Sequence, residues 1–81
     1  MIVLDASVVA DLLGDDGAAG SRARAVVVAE PLLAGPDLID VETVAVLRRA
    51  WLKGALAEHR FEQAVHDLGD LRLARFSTVR C

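Results

Sequence analysis

The stretch that decides the fold opens the chain and reads Met1-Ile2-Val3-Leu4-Asp5-Ala6-Ser7-Val8-Val9. Its first four residues form a continuous apolar run, which is typical of a strand that is buried on both faces of a parallel sheet. Asp5 follows at once, and a short helix is predicted over residues 7–13. An acid at the carboxyl end of such a strand lies where open α/β sheets place their functional groups.

The rest of the chain alternates between helical and extended patterns. It predicts helices over 18–30, 37–53 and 55–68, and strands over 32–34 and 71–76. Asp37 is a suitable N-cap for the helix over 37–53, and Gly54 is a suitable end. The apolar residues of that helix lie almost all the way round it, which predicts a largely buried helix. The strand over 71–76 alternates and is expected at a sheet edge, and Ser77-Thr78-Val79 is typical of the start of another helix.

This order, β-α-α-β-α-α-β, predicts the fold class. Strands that alternate with helices form a parallel sheet with helices on both faces, so we expect an α/β fold of three layers, α/β/α, around a short sheet of about three strands. The 81 residues allow one small domain. Their hydrophobic share of 54% is high for so little interior, which predicts apolar surface for a partner or for further chain to cover.

Charge and composition limit the classes of function. The net charge is −3, so bulk electrostatics do not indicate nucleic-acid binding, and the local clusters of basic residues are interpreted as solvated faces. The single cysteine, Cys81, cannot form an internal disulfide. The uncharged runs are too short for a membrane helix, and the N-terminus lacks the basic start of a signal peptide. We therefore expect a cytoplasmic protein that does not bind a membrane.

Two carboxylates are the strongest candidates for chemistry. Asp5, at its strand-to-helix turn, suits a hard divalent cation such as Mg²⁺, which prefers oxygen ligands; the alternative is a simple helix cap. Glu42 is expected between apolar neighbours, where a carboxylate is costly unless it is paired or metal-bound; the alternatives are an ion pair with Arg49 or a plain surface acid. Asp40 should point nearly the opposite way, since two residues turn a helix by about 200°. Ser7 could orient Asp5 or hold a metal-coordinated water.

A weaker candidate lies on the last predicted helix. His59, Glu62 and His66 share one face, which could suggest a metal site, but the face is otherwise polar and lacks the i, i+4 histidine pair of zinc proteases. We interpret it as a solvated face. Asp67 and Asp70 precede the third strand, which places them at the end of the sheet opposite to the carboxyl end of the first strand.

The opening stretch and a second one, Pro36-Asp37-Leu38-Ile39-Asp40-Val41-Glu42-Thr43, together resemble the PIN domain, and more narrowly the VapC toxins of type II toxin–antitoxin systems. The resemblance covers essentially the whole chain. It implies an endoribonuclease dependent on Mg²⁺ or Mn²⁺, in which Asp5 is the first metal-binding acid, Glu42 is the second, and Ser7 is the small polar residue beside the first. The metal would lower the pKa of a water and stabilise charge on the phosphate. RNA, a cognate antitoxin protein and a second copy of the chain are the implied partners.

The resemblance also predicts that the domain is incomplete. Members of the family continue for several tens of residues with a third and often a fourth acid and two more strands. Residues 1–81 therefore resemble the N-terminal part of a single PIN-like domain that lacks its C-terminal strands. The edge of the strand over 1–4 would then be exposed, apolar and prone to aggregate.

Two other functions remain open on the sequence. A catalytically inactive PIN-like module could still bind an antitoxin or a dimer partner, with an amphipathic helix of the antitoxin on the apolar faces of 7–13 and 55–68. A phosphotransferase of the haloacid dehalogenase type also begins with a strand that ends in Asp. That family requires a second Asp two residues later, where this chain has Ser7, so this class is disfavoured.

Overall fold

The computed structural model describes residues 1–77 of the chain. The elements are β1 (Ile2–Val3), α1 (Ala6–Gly14), α2 (Ala18–Ala29), β2 (Leu33–Pro36), α3 (Ile39–Leu52), α4 (Glu58–Asp70) and β3 (Ala74–Phe76). Their order is the predicted one, and they form an α/β fold with four helices. The helix expected to begin at Ser77-Thr78-Val79 lies almost wholly outside the described residues.

The three strands form one parallel sheet in the order β1-β2-β3. Ile2 pairs with Leu33, and Ala34 of the central strand pairs with Ala74. The backbone N–H of Leu4 donates to the carbonyl of Ala34 at 2.7 Å, so the β1 ladder extends to the residue before Asp5. Within residues 1–77, β3 lies at one edge of the sheet, as its alternating pattern predicts, and β1 lies at the other.

One face of this sheet carries the main core. Leu4 and Leu73 are buried there together with Val9, Ile39 and Leu68. Ile2 and Leu33 of the sheet and Val27 of α2 pack against this cluster. All four helices therefore contribute to the same apolar cluster on the same sheet face.

The opposite sheet face carries no helix within the described residues. Val3 points to this face and is 56% exposed, and Phe76 of β3 is also exposed. The predicted three-layer arrangement is therefore wrong for residues 1–77, which form two layers, and so is the prediction that the strand over 1–4 is buried on both faces. An apolar run shows that a strand can be buried on both faces. Whether each face is buried depends on other elements that pack against it.

The helix α3 is less buried than its sequence predicts. It contacts α1 and α4, and its buried residues are Ile39, Thr43 and Leu47, one stripe at helical spacing. Val41, on another side, is 68% exposed. Apolar residues all round a helix are buried only where neighbouring elements exist on every side, and within residues 1–77 α3 has neighbours on one side.

Several element ends differ from the sequence-based prediction. The structure includes Gly35 and Pro36 in β2, although they were expected to follow the strand. A Cβ on Gly35 would lie 2.6 Å from Cδ1 of Ile39, so glycine permits the close approach of β2 and α3. The N-cap of α3 is Leu38 and not the predicted Asp37. Gly54 ends the α3 region as predicted, with a φ of +79° that suits glycine.

A second apolar cluster holds the helices together. Ala10, Leu47, Leu56 and Ala64 are buried in it. Trp51 and Phe61 stack beside them with ring centroids 4.9 Å apart. This cluster packs α1 against α3 and α4. It therefore also determines where the start of α1 lies relative to Glu42 on α3. None of the helices within residues 1–77 is long and apolar enough to cross a membrane.

Candidate metal-binding cleft

Asp5 lies at the junction between β1 and α1. It is the N-cap of α1, with extended backbone angles, and its Oδ1 accepts a hydrogen bond from the backbone N–H of Val8 at 2.9 Å. The helix-cap interpretation is therefore confirmed. It does not exclude metal binding, because no hydrogen bond within residues 1–77 uses the second carboxylate oxygen. The cap fixes the carboxylate in an exposed position at the start of the helix.

Glu42 lies in the first turn of α3 and is exposed. Its backbone N–H belongs to the helix and donates to the carbonyl of Leu38 at 3.0 Å. Its carboxylate has no ion pair within the described residues, so the alternative of a salt bridge with Arg49 is not what the structure shows. Glu42 is thus a carboxylate available for a ligand.

The structure brings the sequence-predicted residues to one place. Asp5, Ser7 and Glu42 line a single cleft of about 360 Å³, which lies between the start of α1 and the side of α3 that carries Glu42. The remaining lining residues are Ala6, Ala45, Val46 and Arg49. Ala6 and Ala45 have short side chains, which leaves room for a ligand. Packing of α1 on α3 is what joins the two acids, which are far apart in sequence.

The donor atoms in this cleft suit a hard divalent cation. Two carboxylates and one hydroxyl offer only oxygen ligands, which Mg²⁺ and Mn²⁺ accept. Mg²⁺ commonly binds through one or two carboxylates and keeps several waters or substrate phosphates as its other ligands. An open cleft leaves space for those ligands. The residues present therefore fit Mg²⁺ or Mn²⁺.

Asp40 does not belong to the cleft, as the helical geometry predicts. Its two carboxylate oxygens each lie 2.7 Å from the guanidinium of Arg75, in a bidentate pair between α3 and β3. The hydrogen bonds from Arg75 lower the pKa of Asp40, and the same contact raises the pKa of Arg75. Arg75 also donates to the carbonyl of Leu73 at 2.8 Å. Asp40 is therefore a structural residue.

A second group of possible metal ligands lies near the end of α4. His66, Asp67 and Asp70 offer atoms within 4.8 Å of one another. The Nδ1 of His66 lies 3.7 Å from a carboxylate oxygen of each acid, and Gln63 also donates to Asp67 at 2.8 Å. The sequence pattern places His66 with His59 and Glu62 instead. The signal for the observed group is the i, i+4 spacing of His66 and Asp70. The group is largely exposed and only loosely gathered.

The docking surface expected on the apolar faces of 7–13 and 55–68 is wrong. Those faces lie inside the protein, because Val9 and Ala10 of α1 are buried in the same two clusters as Leu68 and Ala64 of α4. An amphipathic partner helix would have to displace the core to reach them. The two helices supply each other's apolar contact.

The cleft is the place where the predicted metal ligands Asp5 and Glu42 meet, and it is the candidate functional site of residues 1–77. Its features come from the packing of α1 on α3 and from the cap at Asp5. No protein-family model matches the chain, and no curated protein matches it.

Proposed function

We propose that this chain is a PIN-like, VapC-type endoribonuclease module that hydrolyses RNA with a Mg²⁺ or Mn²⁺ ion held by Asp5 and Glu42. The observation that supports the proposal is the shared cleft: two acids and a hydroxyl selected from sequence, on two different helices, line the same concave surface. The proposal includes a cytoplasmic location and an antitoxin protein and a second copy of the chain as partners.

Each residue has a separate part in this proposal. Asp5 would hold the ion through the oxygen that does not cap α1, and its cap to Val8 holds the carboxylate in one orientation. Glu42 would be the second residue to hold the ion, from the α3 side of the cleft. Ser7 orients a water or the Asp5 carboxylate. A bound ion would supply the chemistry, because it lowers the pKa of a water and offsets the charge of the phosphate.

The test of activity is cleavage of single-stranded RNA by the purified chain with Mg²⁺ or Mn²⁺. We expect cleavage that stops with EDTA and falls at least about a hundredfold in Asp5→Asn and in Glu42→Gln, since each removes a charged ligand. The matched control is Asp40→Asn, which removes a neighbouring acid from outside the cleft. Cleavage that survives in Asp5→Asn, or that Asp40→Asn abolishes equally, would contradict the proposal.

The test of the metal site is Mn²⁺ binding, followed by electron paramagnetic resonance or calorimetry. Asp5→Asn and Glu42→Gln should each weaken binding about tenfold or more, while His66→Ala should leave it unchanged. The opposite pattern would assign the ion to the group at the end of α4 and would remove the support for the proposed function.

A second candidate function is a PIN-like module that binds its protein partners and does not hydrolyse RNA. It is favoured by the number of acids, because the described residues bring only two carboxylates into the cleft, and Mg²⁺ needs further oxygen ligands. A folded chain that binds Mn²⁺ at Asp5 and Glu42 but leaves RNA intact would support this second function. Cleavage that depends on both acids would exclude it.

A further inference from the structure

One cation lines the same cleft as the two acids. Arg49 lies on α3 seven residues after Glu42, which is about two helical turns or roughly 10 Å along the axis. A long helical side chain leans toward the helix N-terminus, in the direction of Glu42. Val46 and Ala45 lie between the two charged residues along the wall of the cleft.

The guanidinium of Arg49 has no ion pair within residues 1–77. Three other arginines of residues 1–77 are engaged: Arg24 donates to the carbonyl of Asp15 at 2.9 Å, Arg60 to Asp16 at 2.8 Å, and Arg75 to Asp40. Arg22, Arg48 and Arg72 lack a side-chain partner there, as Arg49 does, but they do not line the cleft of Asp5 and Glu42. Arg49 shares a cleft with two carboxylates and yet makes no salt bridge to either. A cation in this position is available for an anionic ligand.

A guanidinium presents a planar pair of donors that matches a phosphate, and charge-assisted bonds of this kind are among the stronger ones. The protein as a whole is anionic, so it needs local positive charge where a polyanion binds. From this geometry we propose that Arg49 is a phosphate-binding residue of the cleft, which contacts the phosphate adjacent to the one that is hydrolysed. The inference rests on the proposed function and deepens it, because it assigns the RNA strand a second contact with the protein, on α3.

The experiment is equilibrium binding of a fluorescent single-stranded oligoribonucleotide by anisotropy, at several salt concentrations. Ca²⁺ replaces Mg²⁺, and a gel after each titration verifies that the oligonucleotide is intact. Arg49→Gln should weaken binding about 5- to 30-fold. It should also reduce the slope of log K against log salt by about 0.7, the value for one phosphate contact on a single strand.

The matched control is Arg48→Gln, which removes the same charge from the neighbouring exposed residue outside the cleft. It should change the affinity by less than about twofold, because long-range charge is screened. Arg49→Lys should keep the salt slope and lose part of the affinity, because lysine keeps the charge and not the planar fork.

The outcomes separate the inference from the function on which it rests. Equal effects of Arg49→Gln and Arg48→Gln, or no effect of Arg49→Gln on a wild-type chain that does bind RNA, would overturn the role of Arg49 alone. If the folded wild-type chain binds no RNA and cleaves none, the proposed function fails and this inference fails with it. A selective loss of affinity and slope in Arg49→Gln is the result we expect.

Discussion

At the scale of single residues, Asp5 combines a structural and a proposed chemical role. One carboxylate oxygen caps α1 through Val8, and the other is the proposed metal ligand. Asn caps a helix about as well as Asp, whereas Ala does not. We therefore expect Asp5→Asn to leave the free energy of unfolding nearly unchanged and Asp5→Ala to lower it by about 1 kcal/mol, measured by urea denaturation.

Metal binding by the same two variants completes this prediction. Both should lose Mn²⁺ affinity, because both remove the charge. A variant Asp5→Asn that binds Mn²⁺ like the wild type would show that Asp5 is only a cap. The cap and the proposed metal ligand are separable in this way because they would use different oxygens of one side chain.

Thr43 is a second residue with an unusual environment. Its side chain is fully buried, and its hydroxyl has no hydrogen-bond partner within residues 1–77. An unsatisfied buried polar group costs about 1–3 kcal/mol, and valine has nearly the same shape without that group. We expect Thr43→Val to raise the free energy of unfolding by about 1 kcal/mol. Thr43→Ser, which keeps the hydroxyl and removes a methyl group, should lower it. A destabilised Thr43→Val would mean that the hydroxyl does have a hydrogen-bond partner.

At the scale of elements, two helical glycines differ in what surrounds them. Gly20 of α2 is buried, its N–H donates to Oδ2 of Asp15 at 2.7 Å, and a Cβ there would overlap the backbone carbonyl of Asp15. Apart from its own helix backbone, no atom of residues 1–77 lies within 4 Å of the Cβ position of Gly69 in α4. The first glycine permits the close turn between α1 and α2, and the second occupies open space.

Matched alanine substitutions test this difference. Gly20→Ala should lower the free energy of unfolding by about 1–3 kcal/mol, because the backbone must move to admit the methyl group. Gly69→Ala should leave it unchanged or raise it by roughly 0.5–1 kcal/mol, because alanine favours a helix over glycine. Thermal or urea unfolding measures both. Equal effects of the two substitutions would mean that the α1–α2 turn is not as close as described.

At the scale of the whole molecule, the pair of Asp40 and Arg75 joins α3 to the edge strand β3. The backbone N–H of Asp37 also donates to the carbonyl of Phe76 at 2.8 Å, so the two contacts hold the same strand. The side chains of Arg75 and Asp40 are 35% and 42% exposed, so solvent screens the pair. Its contribution to stability is therefore about 1 kcal/mol or less.

Because the pKa of Asp40 is lowered, the stabilising effect of the Asp40–Arg75 pair depends on pH. The pKa of Asp40 is lower in the folded chain than in the unfolded chain, where it is about 4. The carboxylate therefore stabilises the fold at pH values above the unfolded-state pKa. This contribution is lost as the pH falls through the folded-state pKa. We expect Asp40→Asn to be less stable than wild type at pH 7 and to approach it at pH 2–3, measured by urea denaturation across pH. Arg75→Lys, which keeps the charge, should show an intermediate loss at pH 7. A constant difference between Asp40→Asn and wild type at all pH values would contradict the prediction.

Much of the architecture follows from the sequence by itself. The order of strands and helices, the parallel sheet, the cap at Asp5, the end at Gly54 and the separation of Asp40 from Glu42 are all predicted correctly. These features depend on backbone hydrogen bonding, helical periodicity and conformational preference among residues close along the chain. Asp5, Ser7 and Glu42 could be selected for the same reason, since a strand end and a helix face are local features.

The tertiary structure decides which of those local features meet and which surfaces are covered. Val3 is as apolar as Leu4, yet only Leu4 faces the helices. The apolar faces of α1 and α4 cover each other and not a partner, and α3 is buried along one stripe only. Asp5, Glu42 and Arg49 share a cleft because α1 packs on α3. Which surfaces are buried and which residues share a cleft depend on contacts between residues that are distant in sequence. A local sequence pattern does not predict which distant element makes such a contact.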